Sequence, residues 1–248
     1  MEANVNTHIE ANIKANIKAN MKANMKVKRD FTGVVLAGGK SSRMGTDKAD
    51  LVLKNKTLLH NACDLLKDAG AKNILISRNV TNPIKSLNHY SPSDYPSEKY
   101  VKDIYPNSGP LGGIYSTLIA TEHDLLITAV DMPLLTSSLL STIVLASQTN
   151  NVQSVSNQLN QSQIHAWHFE NEPLPLYIRN TSSVKNHLKH ILTNANSHKS
   201  IKQFTQSIGV QTLLCNKAHA LINTNTPAQF KAVNEHFDLS INLLRRTL

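Results

Sequence analysis

The sequence predicts an α/β fold, one three-layer α/β/α domain around a mostly parallel central sheet, preceded by a low-complexity tail. Three observations carry this. An apolar run from Phe31 to Leu36 opens into two glycines and a cluster of small polar residues, the pattern of a strand feeding a ligand-binding loop. An amphipathic stretch and a second short apolar run follow, making a β-α-β unit whose right-handed crossover yields two parallel strands. Asp124 to Val130, D-L-L-I-T-A-V, is apolar without alternation, as befits a central strand covered on both faces.

Composition narrows the function classes. The chain has 248 residues, 40% apolar and 5% aromatic, enough for one sizeable core of Leu, Ile, Val and Ala. No apolar run reaches the roughly 18 residues of a membrane-spanning helix. Cys63 and Cys215 lie far apart and in no metal-ligand spacing, which predicts buried fillers in a reduced, cytoplasmic protein. The formal charge is +9, of which residues 1–29 hold +4 through Lys14, Lys18, Lys22, Lys26, Lys28 and Arg29 against Glu2 and Glu10. The mildly basic body suits polyanionic small molecules and does not demand nucleic acid.

The division expected is a tail over residues 1–29 and one domain over 30–248. The tail contains a four-residue repeat, A-N-I-K-A-N-I-K-A-N-M-K-A-N-M-K, over Ala11 to Lys26. Its Ile and Met stripe would drift about 40° per repeat round a helix, and asparagine weakens helix propensity, so a frayed helix and a disordered leader both fit. It lacks the apolar core of a secretory signal. A dispensable leader, or an upstream start with Met21 or Met25 as the true one, is the expected reading.

The domain begins with V-V-L-A-G-G-K-S-S-R-M-G-T-D-K, Val34 to Lys48. Glycine lets backbone N–H groups approach one oxygen cluster while Arg43 and Lys48 neutralise it, so the stretch is a candidate phosphate loop. It is neither G-x-x-x-x-G-K-[ST] nor G-x-G-x-x-G. Lys54 to Ala69, with Leu58, Leu59, Ala62, Leu65 and Leu66, reads as an amphipathic helix stopped by Gly70. Asn73 to Ser77 reads as a buried strand, and Asn79 to Lys99 as surface loop.

Val101 to Asp103 leads into Asn107-Ser108-Gly109-Pro110-Leu111-Gly112-Gly113, a turn before a helix. The strand over Asp124 to Val130 ends at Asp131-Met132-Pro133. A carboxylate at the carboxyl end of a central strand stands where open α/β sheets bind ligands, which makes Asp131 the metal candidate. Magnesium needs one or two carboxylates completed by phosphate oxygens and water. The competing reading makes Asp131 the cap or turn before a Ser137 to Gln148 helix.

Val152 to Val155 reads as an edge strand. Between Ile164 and Tyr177, Pro173 and Pro175 favour extended structure, which argues against pairing His165 with His168 as metal ligands. Trp167 either fills the core or lines a pocket. Helices are expected over Val184 to Leu192 and Ser200 to Ile208, and a late strand over Gly209 to Cys215. In Asn223-Thr224-Asn225-Thr226-Pro227, Thr226 suits an N-cap and Pro227 a first helical position, before a helix Ala228 to His236. Asparagine carbonyls there can equally join a magnesium shell or a ribose, and the two roles are compatible.

L-A-G-G-x-S-x-R-M-G-x-D-K, carried by Leu36, Ala37, Gly38, Gly39, Ser41, Arg43, Met44, Gly45, Asp47 and Lys48, resembles the molybdenum cofactor guanylyltransferases of the MobA type, within the Rossmann-like nucleotidyltransferases. The likeness extends over about Phe31 to His236. Gly109 to Gly113 resembles the family's G-P-L-x-G segment, Asp131-Met132-Pro133 its C-D-x-P with Val130 in place of cysteine, and Asn223 to Pro227 its N-x-N-T-P. Pro173, Leu174, Leu176 and Tyr177 match an element bordering the second-substrate pocket.

The resemblance implies transfer of GMP from GTP to the phosphate of Mo-molybdopterin, with pyrophosphate leaving and Mg2+ required. Other cofactor-biosynthesis proteins and acceptor molybdoenzymes would be further partners. It assigns Arg43, Lys48 and Asp131 to catalysis and Leu36, Ala37, Gly38, Gly39, Lys48, Ser77, Asp103 and Asp131 to the nucleotide. Gly109, Pro110, Leu111 and Tyr177 go to the second substrate, and Asp131 and Asn225 to the metal. Two departures stand out. Ser77 replaces the asparagine often found near the base, with Asn79 two residues on. Asn55 replaces a turn glycine and tolerates positive φ. A cytidylyl- or sugar-phosphate nucleotidyltransferase on the same fold is the alternative enzyme, and a non-catalytic nucleotide- or nucleic-acid-binding module the alternative class.

Overall fold

The computed structural model describes residues 29–38, 47–78, 98–149, 163–195, 197 and 199–235. The Ala11 to Lys26 repeat, the Val152 to Val155 strand, and Gly39 and Arg43 of the glycine stretch lie outside them.

The first strand, β1, is Phe31–Leu36, buried throughout. A 3-10 turn, Lys48–Asp50, follows the glycine stretch, with Asp47 as its N-cap. Val52–Leu53 (β2) and Lys56–Thr57 (β3) then form a two-residue hairpin, turned by Lys54 and Asn55 at φ 51° and 65°. The expected Lys54 to Ala69 helix therefore starts later, as α1, Leu58–Asp68, because Thr57 caps it by accepting from the His60 N–H. Gly70, at φ 96°, ends it. Strand β4 is Asn73–Ser77.

Glu98–Val101 forms β5, a strand whose first two residues fall in the expected Asn79 to Lys99 loop. Helix α2 is Pro110–Ala120, β6 Asp124–Ala129 and α3 Ser137–Gln148. The N-cap of α3 is Thr136, so Asp131 does not cap that helix. Ala166–Phe169 (β7) and Leu176–Ile178 (β8) pair antiparallel. Helices α4, Ser182–Thr193, and α5, Ile201–Ser207, precede β9, Val210–Leu213. A last helix, α6, runs over 227–235 among the described residues.

The sheet order is β5-β4-β1-β6-β8-β7-β9. The strands β5, β4, β1 and β6 run parallel. Strand β8 opposes both β6 and β7, while β7 and β9 run parallel. The architecture is a mostly parallel sheet between two helical layers. Leu59, Cys63 and Leu66 of α1 and Leu140 and Ile143 of α3 pack with Phe31, Val35 and Ile76 on one face. Leu111 and Ile114 of α2, Leu188 of α4 and Phe204 of α5 cover Val34, Leu75 and Ile127 on the other. Central strands read as unbroken apolar runs because both faces are dry.

From β1 the chain moves outward to β4 and β5, then returns past β1 to β6 on its other side. The order therefore reverses between β1 and β6. A crevice outside the carboxyl ends of strands forms at such a reversal.

Candidate active site

The register pairs Leu36 with Ala129, and the Val130 N–H donates to the Leu36 carbonyl at 3.3 Å. The chain leaving β1 through Ala37 and Gly38 thus runs beside the chain leaving β6 through Val130 and Asp131. Both Leu36 and Ala37 bury their side chains in the core, and the Ala37 N–H is bonded to the Ser77 carbonyl at 3.0 Å. What these two residues offer a ligand is backbone. Gly38 is exposed.

Across this crevice the Lys48 ammonium stands 2.9 Å from the Asp131 carboxylate and 2.9 Å from the Asn225 side-chain oxygen. The three residues come from the turn after the glycine stretch, the end of β6 and the loop before α6. That last loop is stitched to the second element: the Thr224 N–H donates to the Asp131 carbonyl at 2.8 Å. The loop is also capped, with the Gln229 N–H donating to Thr226 Oγ1 at 3.2 Å, and the Asn225 and Thr226 N–H groups donating to Gln229 Oε1 at 2.8 and 3.1 Å. Asn225 is therefore part of the helix start and of the cluster at once. The Lys48 and Asp131 side chains are 17% and 21% exposed and Asn225 is exposed, so the cluster opens to solvent on one side.

Ser77 and Asp103 form a second group, at the ends of β4 and β5, with Ser77 Oγ donating to Asp103 Oδ1 at 3.4 Å. Helix α2 comes so close to them that a Cβ at Gly112 would lie 2.6 Å from the Tyr105 carbonyl, and one at Gly113 would run into Ser77 Oγ. Gly109 and Pro110 are exposed at the start of α2.

Of the remaining pocket residues, Tyr177 departs from the expectation. Leu111 is fully buried among the α2–sheet contacts. Tyr177 is 1% exposed, packed edge-on against Phe31 and Trp167, and its hydroxyl donates to Asp124 at 3.1 Å. Asp124 begins β6 whereas Asp131 follows its end, so Tyr177 points to the opposite edge of the sheet. Burial and the Asp124 charge push its phenol pKa up. Trp167 takes the core alternative.

Sequence reasoning gave no task to Arg78, one residue beyond β4, whose guanidinium pairs with Asp47. The available signal was a cation just past a parallel strand's carboxyl end. His165 and His168 lie on extended chain with odd spacing, and no group of three metal-ligating His, Cys, Asp or Glu occurs among the described residues. Cys63 is buried but Cys215 only partly so. No described helix is long and apolar enough to cross a membrane.

The model of the MobA-like NTP transferase domain matches residues 33–206. A molybdenum cofactor guanylyltransferase of Xanthomonas euvesicatoria pv. vesicatoria is 32% identical over 217 residues, 86% of this chain and 99% of its own length. The fold is similar to that of molybdopterin-guanine dinucleotide biosynthesis protein A from Archaeoglobus fulgidus, with TM-score 0.61 and 18% identity over 84% of this chain and 99% of that one. It is equally similar to 4-diphosphocytidyl-2C-methyl-D-erythritolsynthase from Anaerococcus prevotii, with TM-score 0.62 and 10% identity over 85% and 97%. At those identities the two likenesses concern the fold alone. The domain match takes in most of β1, the Lys48 turn and Asp131, and the Xanthomonas relative is matched over nearly its whole length: the chain belongs to the MobA-like NTP transferase family.

Proposed function

We propose that the chain transfers GMP from GTP to the terminal phosphate of Mo-molybdopterin, releasing pyrophosphate and forming the guanine dinucleotide cofactor, in the cytoplasm. The observation that carries this is the convergence of Lys48, Asp131 and Asn225 on one point in the crevice between β1 and β6.

The acceptor is already an anion, so the reaction needs no strong base. Its difficulty is bringing two anions together, and catalysis is positioning plus charge neutralisation. Gly38 and Gly39 let the backbone approach the triphosphate. Lys48, with Arg43, neutralises the phosphates and the charge that develops on the leaving pyrophosphate. Ser77 and Asp103 face the nucleoside side, and Gly109 and Pro110 the acceptor side. Leu111, like Leu36 and Ala37, offers only backbone, and Tyr177 acts only by supporting the sheet.

Asp131 and Asn225 fit a magnesium ion. Both are hard oxygen donors already converging on a cation, the Lys48 ammonium, and magnesium takes few protein oxygens alongside phosphates and water. Bound there, it would supply Lewis-acid stabilisation of the phosphoryl oxygens. The Thr224–Asp131 backbone bond holds together the two chain segments that carry these donors.

A thermal-shift series with GTP, CTP, UTP and ATP, each with magnesium, tests the reading. Selective stabilisation by GTP supports it. Selective stabilisation by CTP favours the cytidylyltransferase alternative, and a response only to RNA favours a binding module.

A further inference from the structure

Arg78 is the second cation fixed at the carboxyl edge of the sheet. Its backbone N–H donates to the Val101 carbonyl at 3.1 Å, which ties it to the line where β4 and β5 end. Its side chain is 11% exposed, and Nη1 is buried with no hydrogen-bond partner among the described residues. Burying a guanidinium donor unpaired is costly, so the group is held where it is by its other arm, Nη2, on the Asp47 carboxylate.

That carboxylate has two tasks. Asp47 Oδ2 meets Arg78, while Oδ1 accepts from the Ala49 N–H at 3.0 Å and so caps the turn that begins with Lys48. The lysine side chain then crosses to Asp131 and Asn225. Arg78, Asp47 and Lys48 therefore form a chain of contacts from β4 across the crevice to the end of β6. Arg78 anchors it to the sheet through its backbone bond to Val101.

We propose that Arg78 is a positioning residue for the nucleotidyl transfer: through Asp47 it sets where Lys48 stands relative to Asp131 and to the triphosphate. The inference rests on the reading of Lys48 as the cation of the triphosphate. A planar fork fixed by one arm locates a carboxylate more sharply than an ammonium does, and small misplacements of a catalytic group are expensive.

The test compares Arg78→Met, Lys48→Met and the double variant by steady-state kinetics with GTP, with melting temperatures measured alongside. Arg78→Met is expected to lower kcat by about tenfold to a hundredfold while KM for the acceptor stays constant. In the Lys48→Met background it should cost nothing more, since a residue that acts only through Lys48 has nothing left to place. Asp47→Asn, which keeps a capping oxygen but removes the charge, should reproduce the Arg78→Met loss, and Arg78→Lys should recover part of it. Losses that multiply in the double variant overturn the proposal, as does a normal Arg78→Met enzyme beside an impaired Lys48→Met enzyme. If Arg78→Met fails to fold, Asp47→Asn decides, and near-normal turnover in that variant overturns it. Should Lys48→Met itself turn over normally, the role of Lys48 fails first and Arg78 with it.

Discussion

Lys48 bridges Asp131 and Asn225, with its ammonium 2.9 Å from each side-chain oxygen, although the partners lie 83 and 177 residues away in sequence. One lysine thereby joins the loop after the first strand, the end of the central strand and the loop before the last helix.

Replacing Asp131 by Ala removes the carboxylate partner of Lys48 but leaves the backbone scaffold in place. The local scaffold uses its backbone carbonyl, which accepts from the Thr224 N–H at 2.8 Å. Turnover is expected to fall by about a thousandfold or more, with the melting temperature unchanged to within a few degrees. Pyrophosphate release and thermal unfolding on the same preparation check both halves.

Asn225→Ala separates the metal role from the capping role. The Gln229 and Thr226 bonds that start α6 use backbone N–H groups and the Thr226 hydroxyl, so the helix should persist. Loss of the oxygen should raise the magnesium concentration needed for half-maximal rate by about tenfold or more. An unaltered magnesium titration would remove Asn225 from the metal shell.

Gly112→Ala places a methyl 2.6 Å from the Tyr105 carbonyl, and a backbone oxygen cannot swing aside. The helix must shift, at a cost of about 1–3 kcal/mol, read from the midpoint of urea unfolding.

Acid should destabilise the protein before carboxylates titrate. Burial lowers the pKa of His60 from its ordinary 6.5, with Asp64 opposing and Lys56 and Lys67 assisting. Burial and then Arg179 lower that of His165, with Asp124 opposing. A folded-state pKa below the unfolded one means that the unfolded chain binds more protons, so stability is full above 6.5 and declines as pH falls through that value toward the folded pKa. Melting temperature should drop between about pH 7 and pH 5.5, the range set by the ordinary histidine value. The drop should be smaller in His60→Gln. A flat profile would contradict this.

Much of this was legible in the sequence because local physics and tertiary context agreed. Phe31–Leu36, Asn73–Ser77 and Ser137–Gln148 formed over the residues that apolar patterning and caps indicated. Glu98–Val101 was hidden because its strand character comes from pairing with β4, not from its own polar-rich residues. The Lys54–Asn55 hairpin cost the first helix a turn. Tyr177 is deceptive because β8 lies beside β6, the strand that leads to Asp131, yet its side chain reaches Asp124 at the other end of that strand. Arg78 was overlooked because its significance lies in a contact with Asp47, 31 residues back.

The most direct measurement follows label from the α-phosphate of GTP in the presence of magnesium and Mo-molybdopterin. Label is expected in a guanine dinucleotide with release of unlabelled pyrophosphate, CTP is expected not to substitute, and Lys48→Met and Asp131→Ala are expected to lose the transfer. Label that stays in GTP with the wild-type enzyme, or that moves equally well in the Asp131→Ala enzyme, would contradict it.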